Sequence, residues 1–215
     1  MIVFARHGQT APNRDGLVLG RADPELTDEG RRQARLLAEA LAGEPVSAIL
    51  TSPLLRARQT AEALGEACGL PVTVDQRLVE IDWGTWEGRP AGSLAVADVD
   101  RWRLDRSPPR GLRAGDEIPP EDGTAPEGES LSSLSARVES FCLETLDDEG
   151  HVVAVSHVSP IKAAAAWALG VDGTIAWRMF LGLASITRVG RGRSSPVLLS
   201  FNETGHLRTA EERTT

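Results

Sequence analysis

Val3-Phe4-Ala5-Arg6-His7-Gly8-Gln9-Thr10 decides how the rest of the chain is read. Ile2 to Phe4 is β-branched or aromatic, as a strand buried on both faces should be. Gly8, Pro12, Asn13, Asp15 and Gly16 then mark the next stretch as a loop. Arg6 and His7 are therefore expected at a strand's carboxyl end. In open α/β sheets that edge, where the strand order reverses, is where ligands bind. An arginine and a histidine there suggest a catalytic phosphate site, although Arg-His-Gly alone is too short a motif to carry that reading.

Working outward, Thr27 is a good N-cap before Asp28 and Glu29, and Leu36, Leu37, Ala40 and Leu41 share one helical face, which predicts a helix over 28–42. Residues 46–50 form a second apolar run. It leads through Thr51-Ser52-Pro53 into a second helix with Arg56 in its first turn, where free backbone N–H groups favour an anion. That helix closes at Gly69, and 72–74 is a third strand. Alternation of strand and helix predicts a mainly parallel central sheet flanked by helices, a three-layer α/β sandwich. Leu78 to Gly88 reads as a loop carrying Trp83, Trp86 and the carboxylates Glu80, Asp82 and Glu87.

Periodicity is lost over 90–129, apart from a helix expected at 94–104. The stretch 105–129 is rich in Pro, Gly, Asp and Glu, and a connection of that length suggests a cap or lid over the strand ends. Ser130 then caps a helix to about residue 148. His151 to Val155 is the clearest buried strand, and it ends in Ser156-His157 as the first ended in Arg6-His7. A helix over 161–169, another over 174–181 and a closing hairpin at 184–189 and 197–201 complete a single domain over 1–208. Residues 209–215 form a polar tail.

The 215 residues carry a net charge of −8 and are 41% hydrophobic. This argues against nucleic acid or an anionic membrane surface as a partner, so any anion site is local. Lys162 is the only lysine. Cys68 and Cys142 stand far apart within helical patterns, as reduced core thiols of a cytoplasmic protein would. Neither a signal-peptide pattern nor a run of about 18 apolar residues is present. His151 and His157 do not suit zinc, since one strand would hold them about 20 Å apart. His206 is expected to be exposed.

Arg6, His7, Arg56, His157 and Glu80 thus converge on one sheet edge, and their kinds suit phosphoryl transfer. A neutral imidazole is a good nucleophile, and guanidinium groups grip the equatorial phosphoryl oxygens. Nearby positive charge keeps His7 unprotonated. A carboxylic acid must protonate the departing alcohol, a role for Glu80 in which Asp82 and Glu87 compete. Trp83 and Trp86 read as core and loop anchors.

The chain resembles the histidine phosphatase superfamily, the phosphoglycerate mutase-like proteins. The likeness runs through Arg6-His7-Gly8-Gln9-Thr10 with Asn13, Gly20 through Leu26-Thr27 to Gly30 with Gln33-Ala34, and Ser52-Pro53-Leu54-Leu55-Arg56-Ala57 with Gln59-Thr60-Ala61. It continues in Leu78 through Glu80 to Gly84 with Trp86-Glu87-Gly88, in Gly128-Glu129-Ser130 with Arg137, and in Val155-Ser156-His157. The resemblance implies that His7 is transiently phosphorylated, that Arg6, Arg56 and His157 form the phosphate pocket, and that Glu80 is the proton donor. It also implies that Thr10 and Asn13 line the pocket and that Gly20 belongs to a loop touching substrate. The family usually has glycine after its second histidine; Val158 stands here, followed by Ser159-Pro160-Ile161-Lys162.

That run is similar to phosphatase domains of actinobacterial type. The implied activity is hydrolysis of a small phosphorylated metabolite without metal or cofactor. The alternatives are a phosphoglycerate mutase and a catalytically weak phospho-ligand binder, and homodimer formation stays open. The segment 90–129 lacks the mutases' Lys-Tyr and Trp-Arg-Arg pattern. An acidic lid would favour monophosphate esters of modest size over bisphosphates and phosphoproteins.

Overall fold

The computed structural model describes residues 1–93, 128–146 and 150–208. Among them, β1 (Ile2–Arg6), β2 (Val46–Thr51), β3 (Val72–Val74), β4 (His151–Ser156), β5 (Ile186–Arg191) and β6 (Pro196–Glu203) form one sheet in the order β3-β2-β4-β1-β5-β6. The first four of that order run parallel, and β5 and β6 add an antiparallel edge. The helices are α1 (Ala11–Arg14), α2 (Asp28–Leu41), α3 (Leu55–Cys68), α4 (Leu131–Thr145) and α5 (Val158–Leu169).

The apolar run of β1 is continuous because both of its faces are covered. Ile2 and Phe4 enter a core with Phe141 of α4 and Ile161 of α5. Val3 and Ala5 point the other way, into a core with Leu37 and Leu41 of α2 and Ala57 and Leu64 of α3. The result is the expected three-layer sandwich. Fully burying a side chain the size of Phe4 stabilises the fold by roughly 1.5–3 kcal/mol.

β1 and β4 are neighbours with Arg6 opposite Ser156. The chain leaves β1 toward α2 on one face and leaves β4 directly into α5 on the other. This is the switch point at which a crevice opens beyond the strand ends. His7 and His157 are the residues that stand there, and the His7 N–H donates to the Ser156 carbonyl at 3.1 Å.

Thr27 caps α2 through the Gly30 N–H, Ser130 caps α4 through the Ser133 N–H, and Gly69 ends α3 in the left-handed conformation. Other expectations need correction. The loop after Gly8 contains the single turn α1, whose start accommodates Pro12. α5 begins at Val158 rather than residue 161, because Pro160 falls in the first turn, where its missing N–H is no loss. The helix expected at 174–181 is a 3-10 stretch, Gly173–Arg178. His206 is half-buried, its Nε2 donating to the Ala184 carbonyl at 3.0 Å. Cys142 is buried as expected, and Cys68 is half-buried. Of the segment 90–129, only a 3-10 turn at Ala91–Ser93 and the residues entering α4 are described. The helix expected at 94–104, the body of the lid and the tail at 209–215 lie outside the described residues.

Candidate active site

A cavity of about 560 Å³ opens over the ends of β1 and β4, lined by Arg6, His7, Asn13 and Glu80 among others. His7 is buried, and its Nδ1 lies 2.7 Å from the Gly8 carbonyl. A carbonyl only accepts, so Nδ1 carries the proton and Nε2 keeps its lone pair. Nε2 faces Arg56, whose Nε–H lies 3.3 Å away. Burial first, then Arg56 and Arg6, hold the His7 pKa well below its usual value, so the ring is neutral at neutral pH.

Arg56 is the largest fully buried side chain among the described residues. Its Nη1 donates to the Ala22 carbonyl at 2.7 Å and its Nη2 to the Gly20 carbonyl at 2.8 Å, and each keeps a second N–H. Glu87 holds that loop from behind, accepting the Gly20 N–H at 2.9 Å and the Ala22 N–H at 2.6 Å. Arg6 donates Nη1 to the Leu181 carbonyl at 2.7 Å, while its Nε is buried without a hydrogen bond. Burial pushes Arg6 down to about 10 against the pull of Glu80, so it too stays charged at neutral pH.

His157 is the N-cap residue of α5, fully buried, with its ring centroid 5.1 Å from that of His7. Its Nε2 lies 2.7 Å from Ser52 Oγ, which also accepts the Leu54 N–H. Its other ring nitrogen, Nδ1, is buried with no hydrogen bond. Burial, then Arg56 and His7, keep this ring neutral as well. Two unsatisfied buried nitrogens beside a neutral lone pair and a guanidinium make a site shaped for an oxyanion.

Glu80 also lines the cavity, its Oε1 accepting from the Ile81 N–H at 2.8 Å and the Ser159 N–H at 3.2 Å. The competing carboxylates are engaged elsewhere, Asp82 by the Gly84 N–H and Glu87 by the loop at 20–22. Asn13 lines the cavity and accepts the Thr10 N–H and hydroxyl at Oδ1, which leaves its amide N–H groups free to face inward. Thr10 is fully buried behind Asn13, and Gly20 serves as the carbonyl anchor of Arg56. Neither is among the cavity-lining residues.

The sequence matches the model of the histidine phosphatase superfamily (branch 1) over residues 2–204. The chain belongs to this superfamily. Phosphoserine phosphatase 1 of Hydrogenobacter thermophilus is 33% identical over 208 residues, covering 96% of this chain and 93% of that protein. A probable phosphoglycerate mutase of Yersinia enterocolitica is 33% identical over 215 residues, covering 96% and 94%. Among solved structures, a mutant phosphoserine phosphatase of Entamoeba histolytica in complex with phosphoserine superposes with a TM-score of 0.80 at 29% identity, covering 96% of this chain and 98% of that one. A mycobacterial glucosyl-3-phosphoglycerate phosphatase in complex with VO3 gives 0.77 at 32% identity, covering 94% and 98%.

Within this histidine phosphatase, the motif residues outside the cavity turn out to fasten the loops that carry the site. The Gly8 N–H donates to Thr60 Oγ1, the Gln9 N–H to Gln33 Oε1 and the Leu26 N–H to Gln59 Oε1. Glu129 pairs with Arg137 at 2.6 Å and with Arg21 at 3.2 Å, and its N–H donates to the Asp82 carbonyl. The other cavity walls are Leu17 to Leu19, Trp83, Trp177 and Ser159, with Val158, which stands where the family usually has glycine, among them. Trp83 was a legible signal read as an anchor. The Ser159 N–H left none, being a backbone group.

Proposed function

We propose that this enzyme hydrolyses a small phosphomonoester in two steps through a phosphohistidine on His7. In the first, His7 Nε2 attacks phosphorus and the bond to the alcohol oxygen breaks, that oxygen taking its proton from Glu80. In the second, the Glu80 carboxylate takes a proton from water as it attacks phosphorus, releasing inorganic phosphate and the free imidazole. Arg6, Arg56 and His157 hold the equatorial oxygens, and Asn13 supplies a further donor. The Gly8 carbonyl on Nδ1–H steadies the positive charge that the phosphorylated ring carries.

The observation that carries this reading is His7 with Nδ1 on the Gly8 carbonyl and Nε2 held 3.3 Å from Arg56 Nε, in a cavity that Glu80 also lines. The phosphatases among the relatives and structural neighbours support hydrolysis as the outcome. The mutase reading is favoured by the relatives of that name. Among the described residues no helix is long and apolar enough to cross a membrane. With the free thiols Cys68 and Cys142, this supports the cytoplasm as the site of action.

The test is incubation with 3-phosphoglycerate and with an aryl phosphate, chelator present. Inorganic phosphate should form from both, and acid quench should trap a labile phosphoenzyme that His7→Ala lacks. Isomerisation to 2-phosphoglycerate in place of phosphate release would make the enzyme a mutase, and turnover by His7→Ala would remove the covalent step.

A further inference from the structure

A second, smaller cavity of about 60 Å³ opens beside the first, and the two share Trp83, Val158, Ser159 and Trp177. Leu131, Leu134 and Lys162 also line it. It has room for a small polar group such as a carboxylate. Lys162 is the only lysine in the chain, is half-buried, and forms no hydrogen bond or ion pair with any described residue.

The register of α5 sets where that ammonium lies. Val158, Ser159 and Lys162 fall on one helical face, with Lys162 about 4.5 Å further along the axis than Ser159. Ser159 N–H is the group that holds Glu80. Glu80 protonates the departing alcohol, so the organic part of the substrate lies on its side of the phosphorus. Lys162 stands one turn further along α5 and lines the smaller cavity, which adjoins the Glu80 side of the first through Ser159.

We propose that Lys162 is the cationic end of a subsite for a carboxylate carried by the alcohol part of the phosphomonoester, a deepening that rests on the roles assigned to His7 and Glu80. The walls of Trp83, Trp177, Leu131 and Leu134 dry the approach, which strengthens a charge-assisted hydrogen bond to the ammonium. Burial, and then Arg6, hold Lys162 below its ordinary pKa, with Glu80 pulling the other way. A bound carboxylate supplies the direct ion pair that no described residue gives this ammonium.

The experiment compares 3-phosphoglycerate with glycerol 3-phosphate, which puts a neutral hydroxymethyl group in the carboxylate's place. The ratio of their kcat/KM values should favour 3-phosphoglycerate and fall roughly ten- to hundredfold in Lys162→Met, mainly through KM, with Lys162→Arg retaining most of it. An unchanged ratio in Lys162→Met overturns the subsite, as does an equal loss on both esters. A second readout needs no turnover. An amine-acylating reagent can modify only Lys162 and the N-terminus, and 3-phosphoglycerate should protect Lys162 where glycerol 3-phosphate does not. Protection without hydrolysis of either ester would sink the catalytic reading and leave the subsite standing. Hydrolysis with no difference in protection would do the reverse.

Discussion

At the scale of single residues, the site works by denying groups their ordinary partners. His7 Nε2 has a guanidinium rather than an acid beside it, and His157 Nδ1 and Arg6 Nε have no hydrogen bond. Glu80 is the exception, gripped by the amides of Ile81 and Ser159. Its proposed role predicts a leaving-group signature. Glu80→Gln should slow an alkyl ester such as glycerol 3-phosphate by roughly 10²–10⁴-fold, and an activated aryl phosphate by far less, since that leaving group departs without a proton. Steady-state kinetics on the two esters decides it, and equal losses would move the acid elsewhere. Arg6, His7, Arg56 and His157 were legible because each sits where an apolar run stops or a helix starts. The Gly20 and Ala22 carbonyls that aim Arg56 were not, because a backbone acceptor has no letter of its own.

At the scale of elements, the decisive packing is backbone against backbone. The first turn of α2 lies on the loop after β1, and a Cβ on Gly30 would collide with the Gln9 carbonyl oxygen, as one on Gly8 would with the Gly30 carbonyl. In a helix, Gly→Ala ordinarily gains about 1 kcal/mol. Here the clash reverses the sign, because backbone atoms on both sides cannot give. Gly30→Ala should destabilise by about 1–3 kcal/mol, lowering Tm by roughly 2–12 °C and displacing the Gly8 carbonyl that holds His7. Calorimetry reads the sign directly, and a variant more stable than the parent would refute the contact. Thr27, Ser130, Gly69 and the alternating cores around β1 were readable from local chemistry. The 3-10 stretch Gly173–Arg178 was not, since a short apolar pattern fits more than one helical geometry and tertiary packing chooses between them. The start of α5 was hidden by Pro160, which reads as a break and is one only beyond the first turn.

At the scale of the whole molecule, an acidic chain buries a pair of neutral imidazoles under a pair of guanidiniums, and its stability inherits their titration. The folded pKa values of His7 and His157 lie well below the unfolded value near 6.5, through burial first and the arginines second. Below pH 6.5 the unfolded chain therefore binds protons that the folded one does not. Stability is then constant in this respect above pH 6.5 and falls as the pH drops toward the folded values, by up to about 1.4 kcal/mol per pH unit for each ring. The paired carboxylates Glu29, Glu44 and Asp75 are also shifted down, so their contribution is lost only below their unfolded values near 4. The window from pH 6.5 to 5 belongs to the histidines. Denaturant unfolding at pH 7.5, 6.5, 5.75 and 5 should give a plateau and then a decline, and His157→Gln should show about half the decline whatever its absolute stability. A flat profile down to pH 5, or the same slope in the variant, would mean that the two rings are not held neutral in the fold. The nucleophile would then lack the lone pair on which the proposed reaction depends.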